Sequence, residues 1–231
     1  IQVSLGLNAP VRFRPAADPS WTEYRGAMIP PHLEHEFDGT QGVSATIFCE
    51  PESEVGRSLL ARFGTEAIAG VPEEECAELC RSLRAIYESS APDAELNGAA
   101  QDVLRRLAAA APRPARPDAR IVRAIAEIVR RIDQPVSLTD IADAVHMSAG
   151  RLRHLFVAET GIPFRPYVLW LRLQHALEQA IGGASWTEAA HAAAFADSAH
   201  LSRTFRRMFG MSPTALDPTQ QAASRARLQE S

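Results

Sequence analysis

Two stretches in the second half of the chain decide the fold: LTDIADAVHMSAGRLRHLFVAETGIPF (residues 138–164) and WTEAAHAAAFADSAHLSRTFRRMFGMSP (residues 186–213). They superpose residue by residue, with an offset of 48 positions before the central turn and 49 after it, so the second turn is one residue longer. A repeat of this kind predicts one supersecondary unit that is used twice. The matching pairs are Ala142 and Ala190, Leu152 and Leu201, Phe156 and Phe205, and Gly161 and Gly210.

Each copy has the order of elements found in a helix-turn-helix motif. A first helix of small and apolar residues places Ala142 or Ala190 where the second helix can cross closely. Ser148 and Asp197 each offer an oxygen that can cap the exposed amides at the start of the second helix. We therefore expect a first helix-turn-helix at 138–159, a linker helix at 164–181 and a second helix-turn-helix at 186–209.

A helical wheel at 100° per residue separates the two faces of each second helix. The inward face is mostly apolar, with Leu152, Leu155 and Phe156 in the first copy and Leu201, Thr204 and Phe205 in the second. The opposite face carries side chains that can donate hydrogen bonds to guanine edges or phosphates. The predicted DNA-binding residues are Ser148, Arg151, Arg153, His154, Ser198, His200, Ser202, Arg203, Arg206 and Arg207.

Over residues 121–216 the chain resembles the AraC/XylS family of bacterial transcription regulators. PYVLWLRLQHALEQA (166–180) is similar to the family's linker helix, with Arg172 and Ala176 at its usual Arg and Ala positions. AAFADSAHLSRTFRRMFGMSP (193–213) is similar to the family's signature. The chain departs from the pattern at Ala194, where Gly is commoner, at Leu201, where an aromatic residue is frequent, and at 215–216, where Tyr-Arg is common.

The resemblance implies that each second helix enters a major groove, and that the linker helix holds the pair against successive grooves on one face of the DNA. It implies base or phosphate contacts at Gly150, Arg153 and His154 in the first unit and at Ser198, Ala199, Ser202 and Arg203 in the second. Gly150 has no side chain, so the first unit should depend on Arg153 and His154. We expect the two units to contribute unequally.

The charge of the chain is divided between its two halves. The overall formal charge is −4, but up to Asp118 there are 11 Arg and 18 acidic residues, and from Ala119 onward 13 Arg and 10 acidic residues. The first part is therefore at −7 and the second at +3. Such an asymmetry is typical of a basic nucleic-acid module joined to a different domain.

Prolines and changes of periodicity define the domains. Short apolar runs separated by Pro, Gly and Asp predict β-strands up to Phe48, and three- and four-residue spacing predicts amphipathic helices from Val55. The sequence AAAAPRPARP (108–117) is typical of a linker. The expected fold class is α+β, with an all-α domain of two helix-turn-helix units at its C-terminal end. The expected domains are a sensor or dimerisation domain at 1–111, a Pro-rich linker at 112–118, a DNA-binding domain at 119–217 and a tail at 218–231.

The N-terminal half resembles part of the cupin-like sensor domain of AraC-type regulators. YRGAMIPPHLEHEFDG (24–39) is similar to its late strands, and FCEPESEVGRSLLARF (48–63) to the step into the helices that follow. The first cupin strands are not found in the sequence, so we expect further residues before Ile1. A barrel needs those strands, or a substitute, in order to close.

Metal ligands and catalytic groups are weakly represented. His32, His35 and Cys49 are suitable ligand types, but the first cupin motif, which would supply the remaining ligands, is missing. Cys76 and Cys80 are four residues apart and could bind a soft metal or be oxidised, but they continue an apolar stripe. We therefore expect these two cysteines to be buried as small hydrophobes, on a stripe that is also a candidate dimer interface. We expect neither a metal site nor a cofactor.

The leading hypothesis is a transcription regulator that binds promoter DNA and is not an enzyme. The expected partners are double-stranded promoter DNA, a second copy of the chain, RNA polymerase if the protein is an activator, and a small-molecule effector at the N-terminal domain. No apolar run reaches the roughly 18 residues of a membrane span, and three cysteines make no disulfide framework, so we expect a cytoplasmic protein. The alternatives are a constitutive regulator whose N-terminal half only dimerises, a cupin-type enzyme fused to a helical module, and a helical packing repeat whose Arg residues are merely solvated.

Overall fold

The computed structural model describes residues 1–89, 91–112 and 114–213, which fall into two compact units, the first within 1–116 and the second within 117–213. The α+β class predicted from the sequence is confirmed, because strands and helices share the first unit and only helices form the second. None of the helices in these residues is both long and apolar enough to cross a membrane. The predicted tail at 218–231, the departure at 215–216 and Arg113 of the predicted linker lie outside the described residues.

Seven short strands lie in the described part of the first unit, and all of their pairings are antiparallel. They form a four-stranded sheet in the order β6-β1-β4-β7 and a three-stranded sheet in the order β3-β2-β5. The strands β3 and β5 lie in the region where strands were predicted, although neither contains an apolar run, and β7 lies in the region where helices were predicted. The strands are β1 (Gln2–Gly6), β2 (Val11–Pro15), β3 (Thr22–Tyr24), β4 (Gly26–Ile29), β5 (His35–Asp38), β6 (Ser44–Phe48) and β7 (Ala69–Gly70).

Strand β4 is buried on both faces and lies between two clusters of apolar side chains. Ala27 and Ile29 pack with Val11 and Phe13 of β2, so one cluster has members from both sheets. Met28 points the other way, because side chains alternate along a strand, and it joins a cluster with the helices. A cupin-like barrel stays a prediction.

Three helices complete the first unit: α1 (Glu54–Phe63), α2 (Glu73–Glu88) and α3 (Asp93–Ala109). Arg62 at the end of α1 is bonded to Glu75 of α2 and donates to the carbonyl oxygen of Leu107 in α3 at 2.7 Å. The stripe suggested as a dimer interface is instead part of the core of this unit, since it packs against β1, so that suggestion was wrong. The buried stripe consists of Cys76, Leu79, Cys80 and Leu83.

Six helices make up the described part of the second unit, and the caps that the sequence indicated are present. Ser148 accepts a hydrogen bond from the amide of Arg151, and Asp197 accepts one from the amide of His200. Gly161 and Gly210 end the same two helices in the left-handed conformation, at φ 68° and 74°. The helices are α4 (Ala119–Arg130), α5 (Leu138–Ala144), α6 (Ala149–Thr160), α7 (Phe164–Ile181), α8 (Trp186–Ala192) and α9 (Ser198–Phe209).

The linker helix α7 belongs to two apolar cores. Its first half supplies Tyr167 and Val168 to a core shared with α4, α5 and α6. Its second half supplies Leu173 and Ala176 to a core shared with α8 and α9. One continuous helix therefore joins the two helix-turn-helix units.

The two turns inside the repeat have the same backbone conformation. Each contains a residue with positive φ, His146 at 57° in the first turn and Ala194 at 53° in the second. In both turns the amide of the next residue donates a hydrogen bond to the carbonyl oxygen five residues earlier. Met147 donates to Ala142 and Phe195 to Ala190, both at 2.9 Å. This is the pattern of a Schellman helix end, which glycine accommodates with least strain.

The strained alanine in the second turn gives a stability prediction. We expect Ala194→Gly to stabilise the chain by about 0.5 to 1 kcal/mol, because the relief of left-handed strain exceeds the entropy that glycine adds to the unfolded chain. The matched control is Ala126→Gly on the exposed side of α4, which should destabilise by about 1 kcal/mol. Urea unfolding curves measure both changes. A loss of stability in the first variant would contradict the strain argument.

Candidate nucleic-acid interface

The outward faces of α6 and α9 form the candidate interface, and the structure exposes the charged residues predicted to lie there. Arg151, Arg153 and His154 are exposed on α6. Ser148, just before this helix, is exposed as well. On α9 the exposed residues are Arg203, Arg206 and Arg207. The half-buried ones are Ser198, His200 and Ser202.

Each outward face is held in place by the buried face of the same helix. Phe156 of α6 is fully buried, with its ring centroid 5.0 Å from that of Tyr167 and 5.5 Å from that of Phe164. Phe205 of α9 lies 6.2 Å from the ring of Trp186 and 4.4 Å from that of Phe209. These aromatic contacts fix the rotation of each helix about its own axis, and so fix which residues face outward.

Three arginines on α4 and at its C-terminal end differ from those of α6 and α9 in their partners. Arg120 forms a two-bonded ion pair with Asp118, and Arg130 and Arg131 both bind Glu127. The hydrogen bond from Arg120 lowers the pKa of Asp118 to about 2, and the bond from Arg130 lowers the pKa of Glu127 to about 2. These three guanidinium groups are therefore already paired with carboxylates of the protein, and two of them share Glu127.

No described residue forms an ion pair or hydrogen bond with the guanidinium groups of the exposed arginines on the two outward faces. Unpaired guanidinium groups can bind guanine edges or phosphates without first breaking a contact. The surface is therefore suited to a polyanion. These residues are Arg151 and Arg153 on α6, and Arg203, Arg206 and Arg207 on α9.

Two of the predicted contact residues also have structural roles. The hydroxyl of Ser148 is engaged by the amide of Arg151 at 3.3 Å, and the ring of His200 packs edge-on against Phe195 at 5.3 Å. Arg172 of the linker helix is engaged within the protein, since its guanidinium group donates to the carbonyl oxygen of Gln134 at 2.7 Å. Burial lowers the pKa of Arg172, which is typical of a packed side chain.

One residue near the interface was missed from the sequence. A cleft of about 410 Å³ is lined by Arg120 of α4 together with Arg151, His154, Leu155 and Ala158 of α6. Arg120 precedes the repeat, and a helical wheel of the second helices cannot show that α4 crosses beside them. At Gly150 an added Cβ would meet no atom within 4 Å, so this glycine leaves open space at the interface.

The candidate ligands in the first unit do not form a metal site. His35 bonds through its ring nitrogen to the carbonyl oxygen of Leu33 at 2.8 Å, and Cys49 is buried and in contact with Ser53. Cys76 and Cys80 are buried, as expected, with their sulfur atoms 3.7 Å apart. Within the residues described, no group of three or more His, Cys, Asp or Glu side chains could hold a metal ion.

Comparison with known proteins finds similarity to helix-turn-helix proteins. A helix-turn-helix domain family matches residues 141–217. An AraC-type transcriptional regulator from Chromobacterium violaceum is 28% identical over 47% of this chain and 93% of its own, with a TM-score of 0.40. The DNA-binding domain of AdpA, solved in complex with a target DNA, is 24% identical over 48% of this chain and 97% of its own, with a TM-score of 0.39.

The similarity to ToxT from Vibrio cholerae O395 extends over both units. This structure covers 92% of the present chain and 86% of its own, with a TM-score of 0.59 and 13% identity, which shows a shared fold. No protein of curated function matches the chain.

Two helix-turn-helix units on one linker helix, each with an exposed and unpaired basic face, define a DNA-binding transcriptional regulator. In its helix-turn-helix sequence and in its fold the chain is similar to AraC-type regulators.

Proposed function

We propose that the chain binds promoter DNA in a sequence-specific way by inserting α6 and α9 into successive major grooves. The observation that carries this proposal is the pair of matched helices whose outward arginines are exposed and unpaired, while Arg120 and Arg130 of the neighbouring α4 are paired with carboxylates. A helix fits the major groove, and Arg is the commonest reader of guanine there. We place the DNA contacts at Ser148, Arg151, Arg153, His154, Ser198, His200, Ser202, Arg203, Arg206 and Arg207.

The linker helix supports simultaneous DNA binding by both helix-turn-helix units. Because α7 contributes to both cores, the two recognition helices are held by one rigid element. Successive major grooves on one face of B-DNA are about 34 Å apart, so a fixed pair of helices can select a fixed spacing between its two half-sites.

We assign the first unit, from Ile1 to the Pro-rich linker, to sensing and to dimerisation. A cleft of about 380 Å³ lies beside β4 and is lined by Tyr24, Arg25, Gly26, Val71 and Glu73, among others. This volume suits a small molecule. A cytoplasmic homodimer that responds to an effector, and contacts RNA polymerase when it activates transcription, is the fuller form of the proposal.

A second candidate is a constitutive regulator whose first unit only dimerises. The modest and open form of the cleft at β4 favours this alternative. A ligand that binds only the folded chain raises its midpoint of unfolding. A thermal shift with any compound of a broad metabolite panel would favour the effector form, and its absence across the panel would favour the constitutive form.

The DNA-binding proposal is tested by selecting bound sequences from random duplexes and titrating the best one by fluorescence anisotropy. We expect the selected duplex to bind at least a hundredfold more tightly than a scrambled one, since specific sites usually exceed non-specific DNA by about 10³ or more.

Salt dependence provides a prediction that is specific to the unpaired arginines. If about five of them meet phosphates, log Kd should rise against log salt concentration with a slope of about 4 to 5, because each phosphate contact releases counterions. The double variant Arg206→Ala, Arg207→Ala should lower this slope by up to 2, whereas Arg130→Ala should leave it unchanged, because Arg130 is paired with Glu127. Affinity that does not depend on salt would contradict DNA binding by this surface.

A further inference from the structure

The two recognition helices differ most in their C-terminal halves. At the offset of 49 that applies beyond the turn, Val157 and Ala158 of α6 correspond to Arg206 and Arg207 of α9. All four residues are exposed. The C-terminal half of the outward face is therefore apolar on α6 and strongly basic on α9.

Val157 does not belong to the core of its own unit. The core takes up Leu152, Leu155 and Phe156 from α6, while Val157 is 39% exposed and is a member of none of the apolar clusters formed by the described residues. It lies one turn beyond His154 on the outward row of the helix. Packing within the protein therefore does not explain a valine at this position.

Exposure alone would not give Val157 a role, because single apolar residues are common on protein surfaces. Val122 and Val129 of α4 are more exposed, at 48% and 51%. What distinguishes Val157 is its place on the row that carries His154, where its counterpart in α9 is an arginine. A β-branched residue is also a weaker helix former than arginine, so helix stability does not favour it there.

The major groove offers one apolar group that an exposed valine can contact. The edges of guanine, cytosine and adenine present hydrogen-bond donors and acceptors, while thymine adds its C5-methyl group. Contact between that methyl group and an apolar side chain removes both from water, which favours thymine at the position reached.

We propose that Val157 is a specificity-determining residue that selects thymine, through its C5-methyl group, in the half-site read by α6. This inference rests on the proposed insertion of α6 into the major groove. The half-site read by α9 has no such preference at the corresponding position, because Arg206 and Arg207 meet phosphate or guanine there. The two half-sites are therefore read by different chemistry.

Replacement of thymine by uracil tests this proposal, since it removes only the methyl group. In the selected duplex each thymine is replaced in turn, and Kd is measured for the unchanged chain, for Val157→Ala and for the matched control Val129→Ala. We expect one thymine of the α6 half-site to lose about fourfold in affinity on replacement, which is the value of one buried methyl group. The loss should vanish in Val157→Ala and persist in Val129→Ala.

The possible outcomes separate this inference from the proposal beneath it. If no thymine is sensitive, or if the sensitivity persists in Val157→Ala, the chain still binds its selected duplex specifically but Val157 does not read thymine. If no duplex is bound specifically, both proposals are overturned. Because Val157 is exposed and alanine is a good helix former, the variant should retain the helical circular dichroism of the unchanged chain.

Discussion

Phe156→Ala should destabilise the second unit by about 3 to 5 kcal/mol, the range found when a fully buried phenylalanine is truncated. The side chain is 0% exposed and contacts the rings of Phe164 and Tyr167, so its removal opens a cavity between α6 and the linker helix. Domains are stable by only about 5 to 15 kcal/mol, so much of the margin is lost. The affinity for specific DNA should fall together with the stability, because α6 loses the contacts that fix its rotation.

Urea unfolding followed by tryptophan fluorescence measures this loss. Trp170 and Trp186 lie in the second unit, and a Trp21→Phe background removes the signal of the first unit. Phe156→Leu is the matched control and should cost no more than about 1.5 kcal/mol, since it keeps most of the apolar volume. If Phe156→Ala cost less than 1 kcal/mol, the aromatic cluster would not be the anchor of α6.

Arg203→Ala should weaken binding to the selected duplex by about 1 to 3 kcal/mol, or about fivefold to 150-fold, if the guanidinium group reads a guanine edge. Arg203 is exposed on the outward face of α9, and no ion pair is formed with it by any residue of the described ranges. Its substitution therefore removes a DNA contact without breaking a contact inside the protein.

A comparison of two duplexes distinguishes base reading from phosphate binding. Loss on the selected duplex alone, measured by fluorescence anisotropy, identifies a base contact, and an equal loss on random DNA identifies a phosphate contact. Arg130→Ala is the matched control, because Arg130 is exposed but paired with Glu127, and it should change affinity by less than twofold. No change with either duplex would remove Arg203 from the interface.

The second unit was largely predictable because its signals are local. Caps at Ser148 and Asp197, glycines at 161 and 210, and a helical period of buried residues act within a few residues of one another. The additional residue in the second turn followed from the change of offset alone. The positive φ of His146 did not, since histidine is enriched in the left-handed region but most histidines lie outside it.

The first unit was harder to predict, because its strands depend on partners that are distant in sequence. Strand β5 contains a single apolar residue, Phe37, and it exists because β2 supplies its hydrogen bonds. The burial of the cysteine stripe depended in the same way on β1, which lies some 70 residues earlier in the sequence and packs against the stripe. Arg120 was missed at the interface for a related reason, since only the packing of α4 brings it beside α6.

The sharing of α7 by both cores has a consequence for how such a reader can evolve. One residue inserted in the middle of that helix would turn the second helix-turn-helix by about 100° and advance it by about 1.5 Å, so that α9 would no longer meet the proposed groove in phase with α6. A small insertion in α7 would therefore not adapt the protein to a different spacing between half-sites. Substitutions on the two outward faces could change the sequence that is bound without disturbing either core.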